Sequence, residues 1–143
     1  MKEEIKERLI KHVNFLADEI KDYSLFKSMT WETYKDDRNK RRNVERWVEN
    51  LVNSSIDISR LILSGEDRRI SETYKEIVLS VSLVEGFDKE EAEKLAEWVK
   101  FRNIVVHEYL DIRWNSIKRF IPETEPVYKN FLAKVKDYIK EKL

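Results

Sequence analysis

The sequence predicts an all-α fold, an up-and-down bundle of four to five helices, and three observations carry that expectation. Apolar residues recur at steps of three and four along nearly the whole chain. Only two Gly and two Pro occur in 143 residues, too little turn chemistry for a many-stranded sheet. A hydrophobic content of 41%, with four Trp, is enough to build a core. The length suits one domain, read as residues 1–143.

Taken in order, Ile5, Leu9, Val13, Leu16 and Ile20 step along one face and predict a first amphipathic helix of about five turns. The segment 24–37 breaks the pattern, with Ser28 and Thr30 as N-cap candidates for a short helix before Trp31 and Tyr34. A second long helix is expected from about Asp37 through Val44, Trp47, Leu51, Ile58, Leu61 and Ile62, with Gly65 as its stop. Ser71 opens a third, ended by Gly86. Asp88 caps a fourth, KEEAEKLAEWVKFRNIVVHEYL, whose Glu-rich start suits the positive end of the helix dipole. Pro122 and Pro126 are expected to bracket a turn, leaving a last helix over 126–142.

Composition removes several function classes. Cysteine is absent, so disulfides and thiolate metal sites are excluded. The 28 basic and 28 acidic residues cancel, so affinity for nucleic acid has to come from a local patch. No run of about 18 apolar residues occurs, and MKEEIKERLI lacks a signal-peptide core; no membrane partner and a cytoplasmic location are the expectation. There is no Gly-rich phosphate loop. Neither His12 nor His107 has a Glu three residues before it, so the Glu-x-x-His pair of di-iron bundles is missing. Two isolated histidines do not make a multi-histidine zinc site. No metal and no cofactor are expected.

The chemistry concentrates in FRNIVVHEYLDI, residues 101–112. On a continuous helix at about 100° per residue, Leu95, Trp98, Val105, Val106 and Tyr109 fall near the line of Arg102, which places Arg102 in the buried stripe. Asn103 and His107 are one turn apart, and Tyr109 is two turns from Arg102. Arg102 and His107 diverge by about 140°, which favours a site completed across a two-fold dimer. Two readings stay open on these residues alone. In one, His107 is a hydrogen-bonded structural side chain and Arg102 an interhelical ion-pair partner. In the other, they cleave phosphodiester bonds in RNA, where the 2′-hydroxyl is the nucleophile, an imidazole moves the proton, and a guanidinium grips the phosphate.

RNIVVHEY resembles the R-x-x-x-x-H-x-Y motif of the HEPN superfamily, in particular its HepT-like toxins. VERWVENLVNSSIDISRLIL is similar to that family's second helix, with Ile56, Asp57 and Ile58 as its aliphatic-Asp-aliphatic segment. ISETYKEIVLSVSLVEGFDKEEAEKLAEWVKFRN is similar to the stretch leading into the motif. The likeness spans roughly residues 44 to 121. It implies a homodimer joined through the motif helices and a metal-independent endoribonuclease toxin with Arg102 and His107 as catalytic pair. It also implies Asn103 as supporting polar residue, and Tyr109 as the side chain to which a minimal nucleotidyltransferase antitoxin adds AMP. The alternative that the resemblance leaves is a non-catalytic HEPN module that binds nucleotide or a nucleotidyltransferase partner.

A second surface lies in KDDRNKRRNVER, where six basic residues exceed three acidic ones. Arg38, Lys40, Arg41 and Arg42 are candidate RNA contacts there, with Trp31 and Tyr34 as candidate stacking platforms. The competing reading is a solvated helix start whose aromatics turn into the core.

Overall fold

The computed structural model describes residues 2–106 and 109–143. The apolar face of α1 (Lys2–Lys21) buries Ile5, Leu9, Val13, Leu16 and Ile20, the five residues whose spacing defined it. Two short helices follow, α2 (Tyr23–Phe26) and α3 (Trp31–Asp36). The Thr30 hydroxyl caps α3 by accepting from the Thr33 N–H at 3.2 Å. Ser28 instead donates to the Leu25 carbonyl and caps nothing.

The central element is α4 (Arg38–Gly65), a 28-residue helix whose Asp37 cap accepts from the Lys40 N–H at 3.1 Å. It packs against α1 on one side and the motif segment on the other. The helix ends at Gly65, where the sequence places its stop, but Gly65 is not the left-handed residue. The left-handed position falls on Asp67 (φ 52°), and the Arg68 N–H reaches back to the Leu63 carbonyl at 3.0 Å. A Cβ at Gly65 would stand 3.4 Å from the Tyr138 hydroxyl and 3.6 Å from an Ile5 methyl, ordinary van der Waals contact with the last helix and α1.

The third helix begins later than Ser71 suggests. Its cap is Thr73, which accepts from the Glu76 N–H, and α5 (Tyr74–Ser80) runs into a 3₁₀ turn, Val81–Leu83, before Gly86 (φ 101°). Asp88 caps α6 (Lys89–Glu97) by accepting from the Glu91 N–H at 2.8 Å, as its sequence position predicts.

Two expectations are corrected. The fourth helix is not continuous through the motif: α6 ends at Glu97, Trp98–Val106 is wound as 3₁₀ helix, and Asn103 (φ −141°, ψ 71°) is not helical at all. Nor do Pro122 and Pro126 make a turn. Both lie inside α7 (Leu110–Lys142), a single 33-residue helix. A helix-interior proline costs about 3 kcal/mol. Buried Ile117, Phe120, Ile121, Thr124, Tyr128, Phe131, Val135 and Tyr138 flank both prolines and hold the helix together across them.

The core is aromatic at its centre. Trp47 meets Tyr23 and Phe26 at ring-centroid distances of 4.8 Å each, and Phe120 at 6.1 Å. Trp98 meets Phe101 at 5.4 Å and Phe120 at 5.5 Å, so the 3₁₀ segment is pinned to α7 through its buried side chains. Among the described residues there is no strand, and no helix is long and apolar enough to cross a membrane.

Candidate ribonuclease site

Buried Trp98, Val99, Phe101 and Ile104 alternate in the motif segment with exposed Lys100, Arg102, Asn103, Val105 and Val106. A 3₁₀ helix eclipses residues three apart, so Trp98 and Phe101 share one inward face, and Ile104, beyond the kink at Asn103, is buried as well. Arg102 therefore faces solvent rather than a buried stripe, and the angular reading on a continuous helix does not hold. Its guanidinium carbon sits 4.4 Å from the centroid of the Tyr74 ring at the start of α5. Such a contact is worth about 0.5–1 kcal/mol at an exposed position and fixes the direction of a long side chain. Among the described residues no carboxylate pairs with Arg102. A second guanidinium, Arg60 of α4, lies 5.9 Å from the same ring and 3.8 Å from the Asp57 carboxylate.

The four motif positions fare differently. Arg102 and Asn103 lie side by side on the exposed edge, and Asn103 supplies the break in the helix. Tyr109 precedes the first residue of α7 in extended backbone (φ −95°, ψ 132°), with 63% of its surface exposed. It is not two helical turns along from Arg102. His107 lies outside the described residues. Val105, Val106, Tyr109 and Ile112 together form a run of exposed apolar side chains, between 48% and 67% accessible.

Beneath the segment, α4 supplies two carboxylates one turn apart. Glu45, almost wholly buried, accepts from the Tyr34 hydroxyl at 2.5 Å and from Arg113 Nη1 at 2.7 Å. Burial, then the hydrogen bond to Glu45, pushes the Tyr34 phenol well above its ordinary pKa, so it remains a proton donor. This triad joins α3, α4 and the first turn of α7, where the Arg113 N–H also bonds the Tyr109 carbonyl at 3.1 Å. Glu49, the next turn of α4, faces the backbone N–H of Ile104, immediately after the non-helical Asn103. Burial raises its pKa, and that N–H partly offsets the rise. Glu45 thus ties the start of α7 to α3 and α4, and Glu49 faces the kink.

Sequence reasoning passed over Glu45, Glu49, Arg113, Tyr74 and Arg60. For Glu45 a signal existed. Val48 and Val52 follow at three and seven residues, so the acid stands on the apolar stripe, where a buried charge requires a partner. Nothing in the sequence brings Tyr74 to Arg102.

The basic surface is less uniform than its composition. Arg38, Lys40 and Arg42 are exposed, but Arg41 donates to the carbonyls of Tyr34 and Lys35 at 3.2 and 2.9 Å and closes the end of α3. Tyr34 is fully buried, and Trp31 is partly buried against the core. An open depression beside Arg38 and Lys40 is also lined by Glu32, Asp36 and Asp37. The three acids leave it a poor electrostatic trap for a phosphate chain.

With this geometry in view, the comparisons with known proteins agree with one another. The sequence matches the family described as Ribonuclease HepT-like over residues 10–135. The chain belongs to the HepT-like ribonuclease family of the HEPN superfamily. A solved structure, the cytosolic protein of unknown function YutE from Bacillus subtilis, superposes with a TM-score of 0.77 at 18% identity, covering 96% of this chain and 92% of that one. That likeness carries the fold. No curated protein matches the chain. The HepT-like match takes in α4 and the motif segment that packs against it.

Proposed function

We propose that the protein is a metal-independent endoribonuclease toxin whose residues 1–143 form one HEPN domain and act as a two-fold homodimer. The observation that carries this reading is the exposed guanidinium of Arg102, held on Tyr74 at the edge of the apolar run Val105–Val106 and Tyr109. A fork of N–H donors presented to solvent and fixed in direction suits a phosphodiester. The neighbouring apolar run suits a second copy, which would cover those side chains and bring two motif segments into one cleft.

In that cleft the 2′-hydroxyl of RNA attacks the adjacent phosphorus, and an imidazole, assigned to His107, takes its proton. The P–O5′ bond breaks, the departing 5′-oxygen receives a proton from an imidazolium, and a 2′,3′-cyclic phosphate remains. Arg102 balances the charge that builds on the equatorial oxygens, and Asn103 donates to the same group. No step in this sequence requires a metal ion. The partner is a minimal nucleotidyltransferase antitoxin, which silences the toxin by transferring AMP to the exposed Tyr109 hydroxyl. The added phosphate would compete for Arg102.

Purified protein is expected to cut single-stranded RNA in the presence of EDTA and leave cyclic phosphate ends. His107→Ala and Arg102→Ala are expected to keep the fold and lose at least about 10²-fold in rate. Equal cleavage by wild type and His107→Ala would overturn the assignment. An inactive wild type that still binds the nucleotidyltransferase tightly would favour the non-catalytic module instead. Intact mass after co-expression with that partner should rise by AMP increments that Tyr109→Phe abolishes.

A further inference from the structure

The geometry points to Arg60 as a second contact for the RNA backbone and to Tyr74 as the residue that positions Arg102. This rests on the reading of the protein as a ribonuclease and names two residues that the motif does not contain. Tyr74 is 39% exposed, and its ring carries the Arg102 guanidinium at 4.4 Å and the Arg60 guanidinium at 5.9 Å. The three side chains come from three separate elements: α4, the first turn of α5, and the 3₁₀ segment. Their meeting is a product of the tertiary fold, not of local helix spacing.

Two cations gathered on one neutral ring repel each other, and the arrangement gains by the arrival of an anion. Among the described residues Arg60 has one ion-pair partner, the Asp57 carboxylate at 3.8 Å, and both side chains are more than 40% exposed. A pair so loose and solvated restrains Arg60 without neutralising it. A phosphate approaching from solvent meets the donor forks of both guanidiniums, and adjacent phosphates of one strand can engage them separately. Arg102 takes the scissile phosphate and Arg60 a neighbouring one. The Tyr74 ring holds the first guanidinium in place through its π face, so its hydroxyl is not needed.

Binding of a fluorescently labelled single-stranded oligouridylate should be measured across a salt series, with His107→Ala in every protein to prevent cleavage. Each phosphate contact contributes about 0.7 to the slope of log K against log salt for single strands. Arg60→Gln is therefore expected to flatten the slope by about 0.7 and, with His107 restored, to raise KM roughly tenfold with little change in kcat. Tyr74→Leu is expected to lower kcat about tenfold, and Tyr74→Phe, which keeps the ring, to restore it. A slope for Arg60→Gln equal to the parent's, or equal kcat in Tyr74→Leu and wild type, in a protein that binds and cleaves RNA, would overturn this inference and leave the ribonuclease reading standing. Failure of the wild type to bind or cleave RNA would overturn both.

Discussion

Glu45 is the residue on which most of the site's support converges. Its carboxylate has two donors, Tyr34 and Arg113, and is 4% exposed. Removing one partner of a buried ion pair leaves an uncompensated charge, a loss of about 3–5 kcal/mol. Glu45→Ala is expected to lower stability by that amount in urea unfolding. Arg113→Met should cost less in a Glu45→Gln background than in wild type, because the two share one interaction. Glu49 predicts a pH effect of opposite sense to most acids. Its folded-state pKa is raised, chiefly by burial, so between the unfolded and folded pKa values the native protein binds more protons than the unfolded one. Its contribution to stability therefore falls as pH rises through the folded value. Glu49→Gln should remove that dependence: the melting temperature of the variant relative to wild type is expected to be higher at neutral pH than at pH 4, and no difference in slope would disprove the assignment. Glu45 could have been picked out from the apolar stripe it interrupts. Glu49 could not, because the backbone N–H of Ile104 that it faces follows a kink that no Gly or Pro announces.

Periodicity made the elements legible wherever a helix packs on one side only. The buried faces of α1 and α4 are those the spacing of Ile, Leu, Val and Trp marks out, and the caps Thr30, Asp37 and Asp88 sit where their side chains suggest. It failed at both ends of the motif, for related reasons. Trp98–Val106 carries apolar residues that fit either 3.6 or 3 per turn, and Phe101 and Ile104 are equally well buried in the tighter winding. In α7 the prolines should have ended the helix, but eight buried residues distributed before, between and after them outweigh two lost hydrogen bonds. Pro122 is exposed, and its ring deprives the Lys118 carbonyl of an N–H donor. Pro122→Ala is expected to stabilise the protein by up to about 3 kcal/mol, read as a higher urea midpoint at unchanged m-value. A lower midpoint would mean that the proline's contacts with its neighbours matter more than the backbone bond.

For the whole molecule, the bundle was legible, whereas the exposed edge that the motif segment forms was not, because a continuous helix would have turned Arg102 into the buried stripe. Charge balance hides that edge, since 28 positive and 28 negative residues leave no net field to mark it. What marks it instead is exposed apolar surface: Val105, Val106, Tyr109 and Ile112 stand out from a chain whose other large apolar side chains are mostly covered. If a second copy covers this run, Val106→Glu should shift sedimentation from dimer to monomer while far-UV circular dichroism stays unchanged. A variant that remains dimeric would place the dimer elsewhere. The kink at Asn103 has a consequence for hydrogen exchange. Amides deep in α4 and α7 are shielded by the packed core and exchange through opening of the whole bundle, whereas those of Val105 and Val106 follow a break and lie in the weaker 3₁₀ ladder. Exchange there should report a sub-global opening that leaves the rest of the bundle closed, giving the edge a stability of its own, separate from that of the fold.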